Sequence, residues 1–421
     1  MEYIIESNKT VIRGEYDVVV IGGGVAGVAA ALAAARDKAK VLLVEKMTVL
    51  GGLATAGHVI VYLPLCDGYG RKVIGGIPEE LLYTSIKYGY DNLPDEWRGG
   101  PEEAATGRRY QTVFNAPAFV MALDEIIRAE KIDVLLDTVF CDVKMDGDMC
   151  TAIILENKSG RQAYKCKAAV DASGDCDALY RAGAPCVEQD NHLTYWAYYL
   201  HDMNDKYAGI DGPSPYGVKA MVIGNFRGSD LPPGLPKYKG TDARQVTEFL
   251  LKGREMALER IKSNRNLTFT SFPSQAQFRT TRRLDGEHTL RTADAGKHYP
   301  DSVGCTGVWN IAGPVYEIPF GTLINKSVKN IFAAGRVISA ASGHGWEIVR
   351  PIPACAVTGQ AAGSAAAMFA SNGNEVPIGE LQAILRGSGV MLTMSGAMTN
   401  QSKTWLEEWR KQDDAWFTDS V

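Results

Sequence analysis

The cleanest hydrophobic periodicity in the chain lies near its start, in YDVVVIGGGVAGVAAALAAARDKAKVLLVEK, Tyr16 to Lys46. Val18 to Ile21 is an unbroken apolar β-branched run, the pattern of a parallel strand buried on both faces. A glycine-rich turn follows, then an alanine-rich helix to about Arg36 and a second apolar strand ending at Glu45. NAPAFVMALDEIIRAE (115–130) places apolar residues at helical spacing, and the run 132–157 reads as strands turning at Asp146-Gly147. Residues 168–171 and 328–334 read as short buried strands; 243–263 and 351–370 read as long helices. Between them, 60–115 breaks into loops with short helices. From 185 to 304 the composition shifts to clustered aromatics (LTYWAYYL, Leu193 to Leu200) and prolines, and after 372 the chain turns polar with helical patterning. A core role is the ordinary reading of the aromatic cluster, ahead of a ring-stacking surface.

The turn after the first strand carries chemistry. Gly22, Gly24 and Gly27 stand in GxGxxG spacing. The first permits a tight turn, the second lets the backbone approach a pyrophosphate, and the third lets the helix pack closely on the strand. The helix start then offers N–H groups and partial positive charge to phosphate. Glu45 closes the second strand, about 20 residues on, where a carboxylate accepts hydrogen bonds from an adenosine ribose. Strand, turn, helix, strand and acid together predict dinucleotide binding.

Three later features favour FAD over NAD. Gly51-Gly52 opens a small-residue turn directly after Glu45 and Lys46. The strand at 168–171 ends in Asp171-Ala172-Ser173-Gly174-Asp175, and a late strand ends at Gly335, followed by a Gly/Ala-rich helix. These pieces lie some 300 residues from the first fingerprint, as an extended cofactor held between both chain ends requires. The prediction is an α/β fold: a Rossmann-like FAD-binding domain with a parallel sheet and a β-meander, discontinuous over 15–60, 116–184 and 305–372. A mixed α+β substrate or cap domain is inserted at 61–115 and 185–304, and 373–421 forms a C-terminal helical tail.

Composition narrows the partners. The 421 residues carry net charge −5, which argues against nucleic acid or an anionic membrane as partner. The charged start predicts no signal peptide, and no stretch approaches the ~20 apolar residues of a membrane span, so the expectation is a cytoplasmic protein. Eight cysteines show no metal or dithiol spacing and read as buried free thiols; six histidines show no HExxH-like arrangement, so no metal site is expected. A homo-oligomer is left open.

The fingerprint, the DASGD strand end, RTTRRLDGEHTL, IPFGTLINKSVKNIFAAGRVIS and RPIPACAVTGQAAGSAAA together resemble FAD-dependent oxidoreductases. The similarity is to heterodisulfide reductase A-like flavoproteins of the glutathione-reductase type. The resemblance spans about Tyr16 to Ala370, is weakest from Val187 to Ser271, and implies non-covalent FAD and two-electron chemistry. Carried over, it places Gly22, Gly24, Val25, Ala26 and Gly27 at the pyrophosphate and Glu45 and Lys46 at the adenosine ribose. Gly51, Gly52, Leu53, Ala54 and Thr55 would lie along the flavin, with Val139 a backbone contact to adenine and Ala172, Ser173 and Gly174 at the strand-end crevice. Gly335 and Arg336 would lie beside the ribityl or pyrophosphate portion, and Gly359, Ala361 and Ala362 near the pyrimidine edge. Arg336 departs from the family's usual acid, and the iron–sulfur cysteines, a second GxGxxG and a CxxC are all missing. Electrons must therefore come from, or leave to, an external donor or acceptor.

Two polar clusters are candidates for substrate chemistry. FRTTRRLDGEH (278–288) gathers Arg279, Arg282 and Arg283 with Asp285, Glu287 and His288, either as surface ion pairs or as a polar wall in which an arginine orients substrate. SGHGWEIVR (342–350) sets His344 between glycines, with Glu347 and Arg350 close in sequence. His344, then His288, are the candidates for proton transfer, with Arg282 and Arg350 for substrate orientation. The expected activity is hydride transfer between a small polar metabolite and flavin N5. The alternatives are an NAD(P)-dependent dehydrogenase or a flavin-bearing electron-transfer subunit of a larger complex.

Overall fold

In the computed structural model the described residues are 9–105, 107–200, 218–225, 228, 231–264, 267–341, 344–373, 375–394 and 407, with the side chains of Val218, Lys219 and His344 outside that description. The sheet is built from strands whose sequences bury both faces. β1 (Val11–Ile21) leads into α1 (Val25–Arg36) and β2 (Val41–Val44), and Val18 to Ile21 and all of β2 are buried. After α2 (Ile77–Ile86), Asn115 caps α3 (Ala116–Ala129) by accepting a hydrogen bond from the Ala118 amide. β3 (Asp133–Leu135), β4 (Val139–Asp146), β5 (Met149–Asn157) and β6 (Gly160–Asp171) follow, and β10 (Ile331–Ala333) joins from the far end of the chain.

The order across the sheet is β3-β2-β1-β6-β5-β4, with β10 also paired to β6. β3, β2, β1, β6 and β10 run parallel, while β4, β5 and β6 form an antiparallel meander. The long β6 serves both parts: its first half pairs with β5, and its last three residues pair with β10, Ala169↔Ile331 to Asp171↔Ala333. The register aligns Ile21 with Val44 and with Asp171, and Asp171 with Ala333. Four carboxyl ends therefore open at one edge of the sheet, where open α/β sheets form their ligand crevices.

α5 (Ile352–Ser371) is apolar all round and almost wholly buried. A Cβ at Gly359 would run into the Ala26 backbone and one at Gly363 into Ala30, so the two glycines let α5 lie backbone-to-backbone against α1. α6 (Ile378–Gly387) adds Leu381 and Leu385 to the same core. Among the described residues, no helix is long and apolar enough to cross a membrane.

A second layer has its own small cores. β7 (Tyr195–Leu200) lies between β8 (Val218–Ile223) and β9 (Thr268–Ser271) in an antiparallel sheet. α4 (Ala243–Ser263) packs on it with Gly253 against the Tyr195 ring, and Asp242 caps its start. Tyr195 and Ala197 are buried there, as the core reading of the aromatic run requires. The segment 61–115, by contrast, places Tyr62, Trp97, Tyr110 and Phe114 in the main core with the sheet.

Candidate functional site

Each glycine of the first turn is explained by a different neighbour. Gly22 has φ +100°, and a side chain there would strike the Ala172 carbonyl. At Gly27 a Cβ would overlap the Gly22 carbonyl oxygen, so this residue sets the approach of α1 to the turn. Around Gly24 the nearest atom to an added Cβ is the Gly52 Cα at 3.9 Å, so a larger side chain would project into open space. Gly24 and Gly51 bridge as a strand would, and the Gly51 amide donates to the Gly23 carbonyl at 2.8 Å. Gly24 caps α1 without a side-chain hydrogen bond, and the first intrahelical bond is Val28 N–H to the Gly24 carbonyl. The amides before Val28 have no helical acceptor.

The walls of this opening are fixed by buried polar groups. Glu45 Oε2 accepts from the Gly23 amide and Oε1 from the Met47 amide, both at 2.7 Å. Burial raises the Glu45 carboxyl above its ordinary value despite these bonds. Asp171, fully buried, accepts from the Ser173 amide and hydroxyl and, through Oδ2, from the Leu179 amide, which shapes the Ala172–Gly174 turn. Asp177 follows, its carboxyl pushed up to about 6 by burial and then by Asp175 and Asp171. The cleft so formed encloses about 980 Å³ when the open space at its mouth is counted.

At the far end lies a charged group drawn from three segments. Arg350 is held edge-on by Glu347, Nε to Oε1 and Nη2 to Oε2 both at 3.1 Å, and sits 5.5 Å from the Trp346 ring centre and 5.8 Å from that of Trp309. Arg350 also lines the cleft. Burial works to raise the Glu347 carboxyl, but Arg350 and Arg279 outweigh it and hold it below its ordinary value. Arg279 lies 3.8 Å from Glu347, and burial followed by Arg350 brings its guanidinium down to about 9. Arg336 donates to the Phe278 carbonyl at 2.7 Å and packs on Gly174.

The structure brings most of the sequence candidates to this one cleft: Gly22, Gly24, Val25, Ala26, Glu45, Lys46, Gly51, Gly52, Leu53, Ala54, Val139, Ala172, Ser173, Gly174, Gly335, Arg336 and Arg350. Other candidates lie elsewhere. Gly27 packs on Gly22. Thr55 turns its hydroxyl to the Leu50 carbonyl. Gly359, Ala361 and Ala362 are buried in α5, with Gly359 taken up by its contact with α1. Arg282 stacks 3.7 Å over the Tyr180 ring and reaches Asp177 and Glu188. His288 sits edge-on to Tyr299, 3.7 Å from Asp294. His344 starts a short helix, but its side chain lies outside the described residues. Arg279 and Arg282 find partners outside their own stretch, whereas Arg283 donates to the Leu284 carbonyl at 2.9 Å, and Asp285 and Glu287 are exposed.

Sequence reasoning missed Thr138, Phe140, Asp177, Gln275, Ala334, Ile352 and Cys355 on the cleft wall. Thr138, Phe140 and Ala334 flank candidates and were within reach of the same motifs. Gln275 comes from the turn after β9, whose Ser274 and Gln275 amides donate to the Ala56 carbonyl, and no local pattern signals it.

A sequence profile for the family described as FAD dependent oxidoreductase matches residues 17–196 and 221–385. A thioredoxin reductase from Peptoclostridium litorale is 38% identical over 82 residues, 19% of this chain and 26% of that protein; the match thus spans about a quarter of the relative's length. Among solved structures, CabE, an aromatic hydroxylase from angucycline biosynthesis, aligns over 95% of this chain and 72% of its own at 13% identity, with a TM-score of 0.49. The p-nitrophenol 4-monooxygenase PnpA from Pseudomonas putida aligns over 96% and 94% at 12% identity, with a TM-score of 0.45. Likeness at that level carries no argument about chemistry.

Proposed function

The chain belongs to the FAD-dependent oxidoreductase family, an enzyme with FAD as its cofactor, and from that premise we propose where FAD lies and what the surrounding residues do. The diphosphate rests where Gly24 meets Gly52, the point at which the wall has no side chain on either turn and the free amides of α1 converge. Glu45 takes the adenosine ribose: its oxygens accept from backbone amides, Gly23 and Met47 among them, and keep acceptor capacity for a hydroxyl. Arg336 and Gly335 border the middle of the molecule, and the isoalloxazine lies toward Leu53, Gln275, Ile352 and Cys355. The fold in this reading is of glutathione-reductase type, with the β7–β9 layer and α4 as the cap.

Bound there, FAD would supply a two-electron carrier, able to exchange a hydride with a small metabolite held against it. Arg350, on the cleft wall, orients a polar, carboxylated or hydroxylated metabolite, while Glu347 and the two tryptophans fix the guanidinium plane. Cys355 donates to the Arg350 carbonyl, and burial pushes its thiol up to about 11, so it stays in the weakly nucleophilic thiol form. An external donor or acceptor closes the cycle.

The observation that carries this reading is the cleft itself, walled by 21–54 from one chain end and 334–355 from the other. Purified protein should be yellow and release FAD on denaturation. Anaerobic addition of a panel of small hydroxy and carboxylic acids should bleach the flavin with at least one of them. Rapid bleaching only by a protein partner, with no response to any small molecule, would replace this reading with the electron-transfer role.

A further inference from the structure

Cys176 and Cys186 are ten residues apart, a spacing that signals nothing in the sequence, yet their sulfurs lie 3.7 Å apart. Cys176 is fully buried and adopts φ +57°, a left-handed conformation uncommon for a side-chain-bearing residue. It caps the short helix Asp177–Arg181, directly after the turn that gives the cleft Ala172, Ser173 and Gly174, and directly before Asp177. Cys186 is half-buried and sits on a strand, Cys186–Glu188, paired with Arg282–Leu284. The Arg282 guanidinium, anchored by Asp177, Glu188 and Tyr180, lies close by.

We propose that Cys176 and Cys186 form a redox-active thiol pair, which hydrogen peroxide converts to an internal disulfide that alters the cleft wall. Attack starts from Cys186. Either sulfur can donate in the 3.7 Å contact, and Cys186 also reaches the Ala184 carbonyl. With Cys176 as donor, that bond and the Arg282 charge favour the Cys186 thiolate and hold it below its ordinary value, although burial and the charges of Asp171 and Asp285 oppose it. The Cys186 thiolate takes an OH from peroxide as the O–O bond breaks, and the departing hydroxide takes up the proton that Cys186 released on ionising, giving a sulfenic acid and one water. Cys176 sulfur then attacks Cys186 sulfur, the S–O bond breaks, and the hydroxyl leaves with the Cys176 proton as a second water. Two thiols and one peroxide become one disulfide and two waters. The bond requires about 2 Å between sulfurs, so the pair closes by side-chain rotation together with adjustment of the Cys176 turn or the 186–188 strand. Adjustment of the Cys176 turn carries Ser173, Gly174 and Asp177 with it.

A second pair in the molecule provides the contrast. Cys150 and Cys166 are neighbours too, but both are buried, and Cys166 is held well above its ordinary value by Cys150 and by burial. Proximity without an accessible thiolate should leave that pair reduced.

The experiment is peroxide titration of the intact protein, alkylation of remaining thiols, and mapping of linked peptides by mass spectrometry without reduction. The expected result is a 176–186 link that forms first, is reversed by dithiothreitol, and is missing from both Cys176→Ser and Cys186→Ser, while 150 and 166 stay alkylatable. Fully alkylatable 176 and 186 peptides at a peroxide dose that consumes other thiols, or a 150–166 link forming first, would overturn the proposal. The coupling to the cleft rests on the FAD placement proposed above and is read separately, as FAD affinity before and after oxidation. A roughly tenfold weakening is expected, lost in Cys186→Ser; an unchanged affinity with the disulfide in place overturns the coupling. Peptide mapping does not involve the cofactor, so failure of the FAD placement leaves the thiol result standing.

Discussion

Gly24 and Gly27 stand three residues apart and respond differently to an added side chain. Gly24 faces open space, so Gly24→Val should keep the fold, with an apoprotein melting temperature close to the wild type, and lose FAD when titrated by fluorescence. Gly27 is closed by the Gly22 carbonyl, so Gly27→Val forces the turn apart and should cost about 1–3 kcal/mol or more of stability in denaturant unfolding. Equal loss of stability in both would show that the open space at Gly24 serves no cofactor. Arg350 gives a third test at this scale. Arg350→Gln keeps an amide but gives up the charge and the fork on Glu347, which is then buried without its main counter-charge. Turnover should fall roughly a hundredfold, the order of losing an aligned charged contact, while the FAD content of the purified protein stays at one per chain.

At the scale of elements, α1 and β2 follow from their sequences because period and punctuation agree: β-branched strand, glycine turn, alanine helix, strand. The late helix α5 shows where such reading stops. Glycines near a nucleotide fold invite a cofactor role, and Gly359 was expected at the flavin, but glycine at 359 and 363 is also the pattern that lets two helices touch. Only the position of α1 distinguishes these. Gly359→Val should therefore lower the melting temperature of the apoprotein, whereas a cofactor contact would lower FAD affinity and leave the apoprotein unchanged. The thiol pair and Gln275 were illegible for a related reason, since each depends on segments the sequence does not place side by side. His58 belongs here as well. It sits at the junction between the sheet and the β7–β9 layer, stacked 4.4 Å from the Tyr198 ring and 3.1 Å from Ser271 Oγ, with Nδ1 buried and without a hydrogen-bond partner among the described residues. Burial holds its pKa down to about 4, against 6.5 in the unfolded chain. The neutral ring contributes stability above pH 6.5 that is lost as pH falls toward 4, roughly 3 kcal/mol at the limit. Urea unfolding of His58→Asn, a residue that tolerates the positive φ, should lack this loss between pH 6.5 and 4 relative to the wild type. Parallel curves for the two proteins would show that the ring does titrate normally in the fold.

For the whole molecule, the decisive feature is that β10 and α5, from the last quarter of the described chain, complete a crevice begun by β1 and α1. The sheet can close on the β6 edge only after residues 331–333 have returned to it, and the helix seam can form only after 359 and 363 have met 26 and 30. A cofactor spanning Gly24, Glu45, Gly335 and Ile352 should therefore stabilise both chain ends as one unit. At a free FAD concentration one hundred times its dissociation constant, mass action adds about 2.7 kcal/mol to global stability. Hydrogen exchange with and without FAD should show added protection in 18–45 and in 331–357 together, with equal free-energy increments. α4 and the β7–β9 layer, whose clusters are separate from the main core, should gain less. Protection confined to 18–45 would mean that the late strand and helix support the sheet without holding the ligand, and the cofactor would then lie across the first βαβ unit alone. The Gly24→Val protein supplies the baseline for this comparison, because FAD added to it should protect neither end.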